Sequence, residues 1–281
     1  MEWEGGLFLK FTFEKFWAIL KVNRGSRGGS MYKMAVFDID GTLTVRGDEI
    51  PDTALEAIEK LRERGIHCLI ATGRERKNMA EILEVTGIEN YVACNGHYVN
   101  YGEEVLYRYT YPKEVTDEVK RICQREGHCY GFSNGEGTFI SDLEKLRERF
   151  SHPMLDRFKV IQGAEEEIEN IIIFALESID DFKVLEKEYN LVPWGNGMYD
   201  VLKRDRSKAV GIEEIRRKLG VKQEEIICFG DGYNDMEMIE YAGMGVAMGN
   251  GREELRRIAD YVTDSVDNHG IYNACKKFGL I

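Results

Sequence analysis

With 281 residues, 43% of them hydrophobic, the chain can bury a full core, which excludes a wholly disordered protein and suits two modest domains or one domain with a large insertion. Its 38 basic and 50 acidic residues give a net charge of -12, which argues against general binding of nucleic acid or an anionic membrane through bulk electrostatics. Six cysteines (Cys68, Cys94, Cys123, Cys129, Cys228 and Cys275) lack CxxC spacing and read as reduced thiols of a cytoplasmic protein, not as zinc ligands or disulfides.

Residues 1-30 differ in composition from the remainder of the chain. An apolar, aromatic segment from Leu7 to Val22 leads into a Gly/Ser/Arg linker at Asn23 to Ser30. Lys10, Glu14, Lys15 and Lys21 interrupt it, so no stable membrane insertion is expected, and a signal peptide is not expected without a basic start or a small-residue cleavage site. The segment reads as an N-terminal extension; an appended piece and an amphipathic anchor both remain open.

Met34 to Phe37 is an apolar run that reads as a buried strand, and it ends in Asp38 and Asp40, followed by Gly41 and Thr42. Strand alternation would place both carboxylates on one side. At ~4 Å and an effective dielectric of ~20 their repulsion is ~4 kcal/mol, so the pair asks for a cation, a proton or a function. A solvated turn leaves the apolar approach unexplained. A calcium loop fails because Leu43 stands where glycine is needed and a strand precedes where a helix should. A nucleophile and acid around a divalent metal remains, and it needs partners elsewhere.

Leu55, Ile58 and Leu61 mark a helix ended by Gly65, Ile66 to Ala71 a strand that delivers Thr72, Gly73 and Arg74, and Glu75 to Val85 a second helix. With the strand Tyr91 to Cys94 this alternation predicts an α/β fold with a parallel, doubly wound (Rossmann-like) sheet, whose ligands gather at the strands' carboxyl ends. From His97 the rhythm changes. Tyr98 to Tyr101 and Val105 to Tyr109 suggest a hairpin, followed by helix Pro112 to Glu126, another strand pair, a helix opened by a capping box of Ser141 and Glu144, strand Ile171 to Leu176 and helix Ile179 to Tyr189. These elements predict an α+β insert over 97-203.

Helix Ser207 to Leu219 restores the first rhythm, with Lys208 in its first turn, where a cation asks for an anion partner. The strand Ile226 to Gly230 ends in Asp231, Gly232, Tyr233, Asn234 and Asp235. Asp231 and Asp235, four apart, could face one metal or cap the next helix, and the two roles can coexist. Gly243, Gly245 and Gly249 have neither the spacing nor the position of a dinucleotide fingerprint. His269 reads as a loop residue.

The series DIDGT at 38-42, ATGR at 71-74, Lys208 and GDGYND at 230-235 resembles, in order, the four motifs of the haloacid dehalogenase superfamily of phosphotransferases, and the insert and VAMGNG at 246-251 resemble its Cof-like branch. The resemblance covers 31-281. It implies a catalytic core over 31-96 and 204-281, with 97-203 as an α+β cap. It implies that Asp38 is the nucleophile that becomes an aspartyl phosphate, and Asp40 the general acid and then base. Thr72 and Gly73 would meet the phosphate, Lys208 would neutralise it, and Asn234 would orient the site. Asp38, the backbone carbonyl of Asp40 and Asp231 would hold Mg²⁺, with Asp235 as a further ligand or as a partner that supports the ligands. A phosphate ester brings a charge of about -1.5 to -2, so beside Asp38 and Asp231 a single lysine is insufficient and a divalent cation with oxygen ligands is expected.

The implied function is a Mg²⁺-dependent phosphatase acting on a small phosphorylated metabolite, a sugar phosphate or organic acid phosphate. A phosphomutase using the same aspartyl phosphate and a catalytically idle binding protein are the alternatives. Asn95 and Gly96, and Lys203 to Ser207, are the expected hinges. His97, Arg108, Trp194 and Asn196 are the specificity candidates, and Arg74 either touches substrate or pairs with a core acid.

Overall fold

A computed structural model describes residues 32-149, 166-175, 178-195 and 197-281. The expected extension at 1-30, the end of the predicted strand at Leu176 and the candidate Asn196 lie outside the described residues.

The first sheet has eight strands, β1 (Met34–Phe37), β2 (His67–Ala71), β3 (Asn90–Ala93), β4 (Tyr98–Tyr101), β5 (Glu104–Arg108), β11 (Ile226–Gly230), β12 (Met244–Ala247) and β13 (Tyr261–Val262), in the order β13-β12-β11-β1-β2-β3-β4-β5. The run from β13 to β3 is parallel. Helices cover both faces, which is why β1 is apolar throughout instead of alternating. Ala35 and Phe37 pack with α1 (Asp52–Glu63) and α8 (Gly270–Lys277); Met34 and Val36 pack with α5 (Lys208–Leu219), α6 (Met236–Tyr241) and α7 (Glu253–Ile258). Strand order reverses direction between β1 and β11, the position where a doubly wound sheet opens a crevice at its carboxyl edge.

A second, antiparallel sheet is built from β6 (Cys129–Ser133), β7 (Thr138–Ile140), β8 (Asn170–Phe174), β9 (Tyr189–Gly195) and β10 (Met198–Lys203), in the order β7-β6-β8-β10-β9. Its strands do alternate. Phe132, Ile171, Ile173 and Val201 form a core with α3 (Lys113–Glu126), while Ser133, Thr138, Asn170 and Asp200 point the other way and are also buried.

Four expectations need correction. The hairpin β4-β5, expected in the insert, pairs with β3 and extends the first sheet, so the chain reaches the second sheet only after Arg108. The Ser141 hydroxyl accepts the Tyr130 amide, and Asp142 caps α4 (Leu143–Arg149) by accepting the Lys145 amide, so no Ser141 capping box forms. Helix Glu75 to Val85 begins as a 3-10 turn at Arg76–Met79 before α2 (Ala80–Thr86), and Ile179–Lys187 is likewise 3-10, with Tyr189 already in β9.

The segments joining the sheets meet at His97. Its Nε2 is 3.1 Å from the Lys203 amide, its carbonyl accepts the Tyr109 amide, and Arg206 Nε donates to the Gly96 carbonyl. His97 is fully buried and therefore positioned by packing; burial lowers its pKa to about 4. A histidine depressed on folding contributes stability above its unfolded pKa of about 6.5 that is lost as pH falls towards 4. Between pH 7 and pH 5 wild type should lose about 2 kcal/mol more than His97→Asn in urea unfolding. Equal losses would show that the imidazole is not held neutral.

Candidate functional site

Asp38 follows β1 directly, and its amide donates to the Phe229 carbonyl of β11 at 3.0 Å. Its carboxylate is buried and accepts from Lys208 Nζ at 2.7 Å. Lys208 opens α5 behind the cap residue Ser207 and is 0% exposed; it also donates to Asp235 Oδ1 at 2.6 Å. The anion that a cation at this helix start requires is thus supplied twice. Asp235 Oδ2 accepts the amides of Asp231 and Gly232 at 2.9 and 2.8 Å, so this carboxylate shapes the turn after β11 as well as pairing the lysine.

Carboxylate oxygens of Asp38, Asp231 and Asp235 lie within 4.8 Å of one another. With all three ionised and Lys208 protonated, the cluster carries a net charge of -2. Burial, then repulsion from Asp235, pushes Asp38 up to about 7, although Lys208 pulls it down. Burial, then Asp38 and Asp235, pushes Asp231 up to about 9. Burial alone would lower Lys208, but Asp235 and Asp38 outweigh it and hold the ammonium above the ordinary lysine value. A buried, oxygen-only donor set short of positive charge fits a hard divalent cation. Gly41 lets the chain turn past this cluster, because it has φ +79° and a Cβ there would sit 2.4 Å from Asp231 Oδ2.

Asp40 is reached through a turn closed by bonds from Thr42 and Leu43 to the Ile39 carbonyl, not through strand alternation. Its side chain lies outside the three-carboxylate cluster. Arg74 grips it with two bonds, Nε to Oδ2 at 2.9 Å and Nη2 to Oδ1 at 2.8 Å, and also donates to Asp48 at 2.5 Å. Arg74 thus pairs with two partly exposed acids, Asp40 and Asp48, and also lines the cleft described below. Any contribution of Asp40 to a metal would come from its backbone.

These groups form the floor of a cleft of ≈ 210 Å³. Asp38, Asp40, Thr72, Gly73, Asp231 and Asn234 all line it. The buried Thr72 hydroxyl accepts the Arg74 amide, leaving its proton for an acceptor in the cleft. Gly73 leaves room for two side chains, since a Cβ there would lie 3.1 Å from Asn95 Nδ2 and 3.4 Å from Asn234 Nδ2. Asn234 donates to Asn95 Oδ1 at 2.9 Å. The opposite wall comes from the second sheet, through Ser133, Thr138, Asn170, Trp194 and Asp200.

Among the specificity candidates, Trp194 lines the cleft. Arg108 is instead paired with Glu167 and Glu169, and His97 is packed among Tyr109 and Tyr111. Sequence reasoning missed Asn170 and Asp200, and gave Asn95 only as a hinge. Their signal was a polar residue inside or beside an apolar strand, as Asp200 stands between Tyr199 and Val201.

The sequence model of the haloacid dehalogenase-like hydrolases matches residues 35-275. A Bacillus subtilis protein named "Putative phosphatase YkrA" is 33% identical over 257 residues, covering 89% of this chain and 98% of that protein. The structure of the sugar phosphatase BT4131 is similar at 32% identity and TM-score 0.77, over 89% of this chain and 100% of its own. The phosphatase BT1666 from Bacteroides thetaiotaomicron is similar at 28% identity and TM-score 0.80, over 92% and 99%.

Because folding raises the pKa of Asp38 and Asp231, the stability linked to these groups is complete below about pH 4 and is lost as pH rises through 7 and 9. A divalent cation relieves that loss by binding the ionised form. Its addition should raise the melting temperature more at pH 8.5 than at pH 6, and Asp231→Asn should diminish the rise. A rise independent of pH would count against a metal site at this cluster.

Proposed function

Because this chain belongs to the haloacid dehalogenase-like hydrolases and is a phosphatase, we propose that it hydrolyses a small phosphorylated metabolite, a sugar phosphate or related organic acid phosphate, through an aspartyl phosphate on Asp38. The observation that carries this reading is the buried Asp38 carboxylate, fixed by Lys208 at the floor of a cleft with polar walls. A nucleophile held in place avoids the entropic cost of recruiting one from solution. Lys208 favours the ionised carboxylate that attack requires and then faces the charge transferred to it.

The Thr72 hydroxyl donates its remaining proton to a phosphoryl oxygen, while Gly73 allows the ester to approach the Thr72-Arg74 turn closely. Asn234, held by Asn95, fixes the orientation of the loop that carries Asp231. Asp40 must leave the Arg74 pair and take up a proton from solvent before it gives that proton to the departing alcohol oxygen; the carboxylate so restored then takes one from the attacking water. Arg74 holds that carboxylate at the edge of the cleft, so Asp40 exchanges a guanidinium partner for the substrate oxygen when it acts. Mg²⁺, held by Asp38, the Asp40 carbonyl and Asp231 with Asp235 adjacent, would supply the positive charge that the cluster and a phosphate together lack.

The second sheet, with the helices on its outer face, serves as the cap that excludes water and meets the alcohol part of the ester. The buried free cysteines suit a cytoplasmic enzyme, and among the described residues no helix is long and apolar enough to cross a membrane.

The test is phosphate release across a panel of phosphate esters, with Mg²⁺ and with chelator. Wild type should release inorganic phosphate from at least one ester without isomerising it, chelator should abolish release, and Asp38→Asn should lower it at least about 1,000-fold. Equal release by wild type and Asp38→Asn would overturn the mechanism.

A further inference from the structure

The cleft wall opposite Asp38 carries a polar stripe where the rest of its sheet face is apolar. Ser133 pairs with Thr138 on one side and Asn170 on the other, and Asp200 lies on the next strand, opposite Ile172. The Ser133 and Thr138 hydroxyls bond each other at 2.9 Å. Asp200 Oδ2 is saturated, accepting from Asn95 Nδ2 and Trp194 Nε1, both at 2.7 Å.

The remaining oxygens are not matched. Asp200 is 0% exposed and Asn170 is 2% exposed; the Asn170 amide is the one donor beside Asp200 Oδ1, too far for a well-formed bond, and Asn170 Oδ1 has no donor. Both residues line the cleft. Buried acceptors without donors are unfavourable, and two beside one cavity point to donors brought by a ligand. Burial accordingly raises the Asp200 carboxyl to about 7 despite the bonds from Trp194 and Asn95 and the nearby Asn170 amide; another donor would offset part of that. Ile172, Pro193 and Trp194 supply an apolar surface next to the two oxygens, suited to the C–H face of a carbon skeleton.

We propose that Asp200 Oδ1 and Asn170 Oδ1 determine substrate choice by accepting hydroxyl protons of the alcohol being released, so that the enzyme prefers polyol monophosphates to phosphates of hydroxy acids. This rests on the phosphatase reading of the cleft. A carboxylated leaving group presents acceptors to acceptors and sets its charge against Asp200. A polyol presents donors to both oxygens and its carbon-bound hydrogens to Trp194.

Asp200→Asn is the direct test, because the side-chain oxygen can keep the Asn95 and Trp194 bonds while the new amide puts a donor where Oδ1 stood. The probes are glucitol 6-phosphate, 3-phosphoglycerate and p-nitrophenyl phosphate. Wild type should favour the polyol ester over the acid ester in kcat/KM, and Asp200→Asn should reduce that preference at least about 10-fold, chiefly through a higher KM for the polyol. Asn170→Ala, which removes the other acceptor without touching the Asn95 and Trp194 bonds to Asp200, should lower kcat/KM for the polyol by about 10-fold and decides the matter if Asp200→Asn does not fold. A preference within about twofold of wild type in the folded variants, with p-nitrophenyl phosphate still hydrolysed, would overturn the proposal and leave the phosphatase reading standing. No phosphate release from glucitol 6-phosphate by wild type would overturn the polyol proposal, and the phosphatase reading falls with it only if no ester of the wider panel is hydrolysed.

Discussion

One buried ammonium organises the catalytic edge. Lys208 is fully enclosed, and an isolated charge in that position would be prohibitively unfavourable. Its two carboxylates come from different parts of the chain, Asp38 from the end of β1 and Asp235 from the turn after β11. The same Asp235 closes that turn by accepting two of its amides. The ion-paired group therefore joins three segments distant in sequence, and removing any member would strand a buried charge. It also leaves the cluster short of positive charge, since one lysine faces three carboxylates. The fold thus creates an electrostatic demand that a divalent cation and its ligands can meet.

The features legible in the sequence were those with local physical causes. The four apolar residues of β1 and the acids that end it announce a strand buried on both faces and a site at its carboxyl end. Lys208 at a helix start announced its anionic partners because a cation opposes the helix dipole there. Strand partnership was less legible. The β4-β5 hairpin reads correctly as a hairpin, but whether its free edge joins β3 or another sheet depends on pairing with a strand that nothing in its own alternation specifies. Ser141 failed as a cap for a similar reason, because the competing amide of Tyr130 comes from a neighbouring strand and not from the helix.

The region where the sheets join carries an unusual backbone. Cys94, Asn95 and Gly96 have successive positive φ values of 49°, 52° and 99°. Two non-glycine residues adopt a conformation costing of order 1 kcal/mol each, and the surroundings over-determine it. Asn95 bonds Asn234 and Asp200, and Gly96 lies against the Ser207 carbonyl, where a Cβ would approach to 2.3 Å. This left-handed turn aims the Asn95 carboxamide between the two sheets, which a regular strand ending would not do. A hinge was expected at Asn95 and Gly96; these residues form a left-handed turn, and the passage to the second sheet comes only after the hairpin.

Asn95 has a consequence for the division of labour in the cleft. The charge-bearing groups, Asp38, Lys208, Asp231 and Asp235, all stand at the carboxyl edge of the first sheet, whereas the unmatched acceptors Asp200 and Asn170 stand on the second. Phosphoryl chemistry and recognition of the alcohol can then vary separately, because changing a residue on β8 or β10 leaves the Lys208 cluster untouched. They are nevertheless joined, since Asn234 donates to Asn95 and Asn95 donates to Asp200. The Asn95 carboxamide accepts from Asn234 through its oxygen and donates to Asp200 through its nitrogen. One buried carboxamide, that of Asn95, thus touches both the loop that carries Asp231 and the carboxylate on β10.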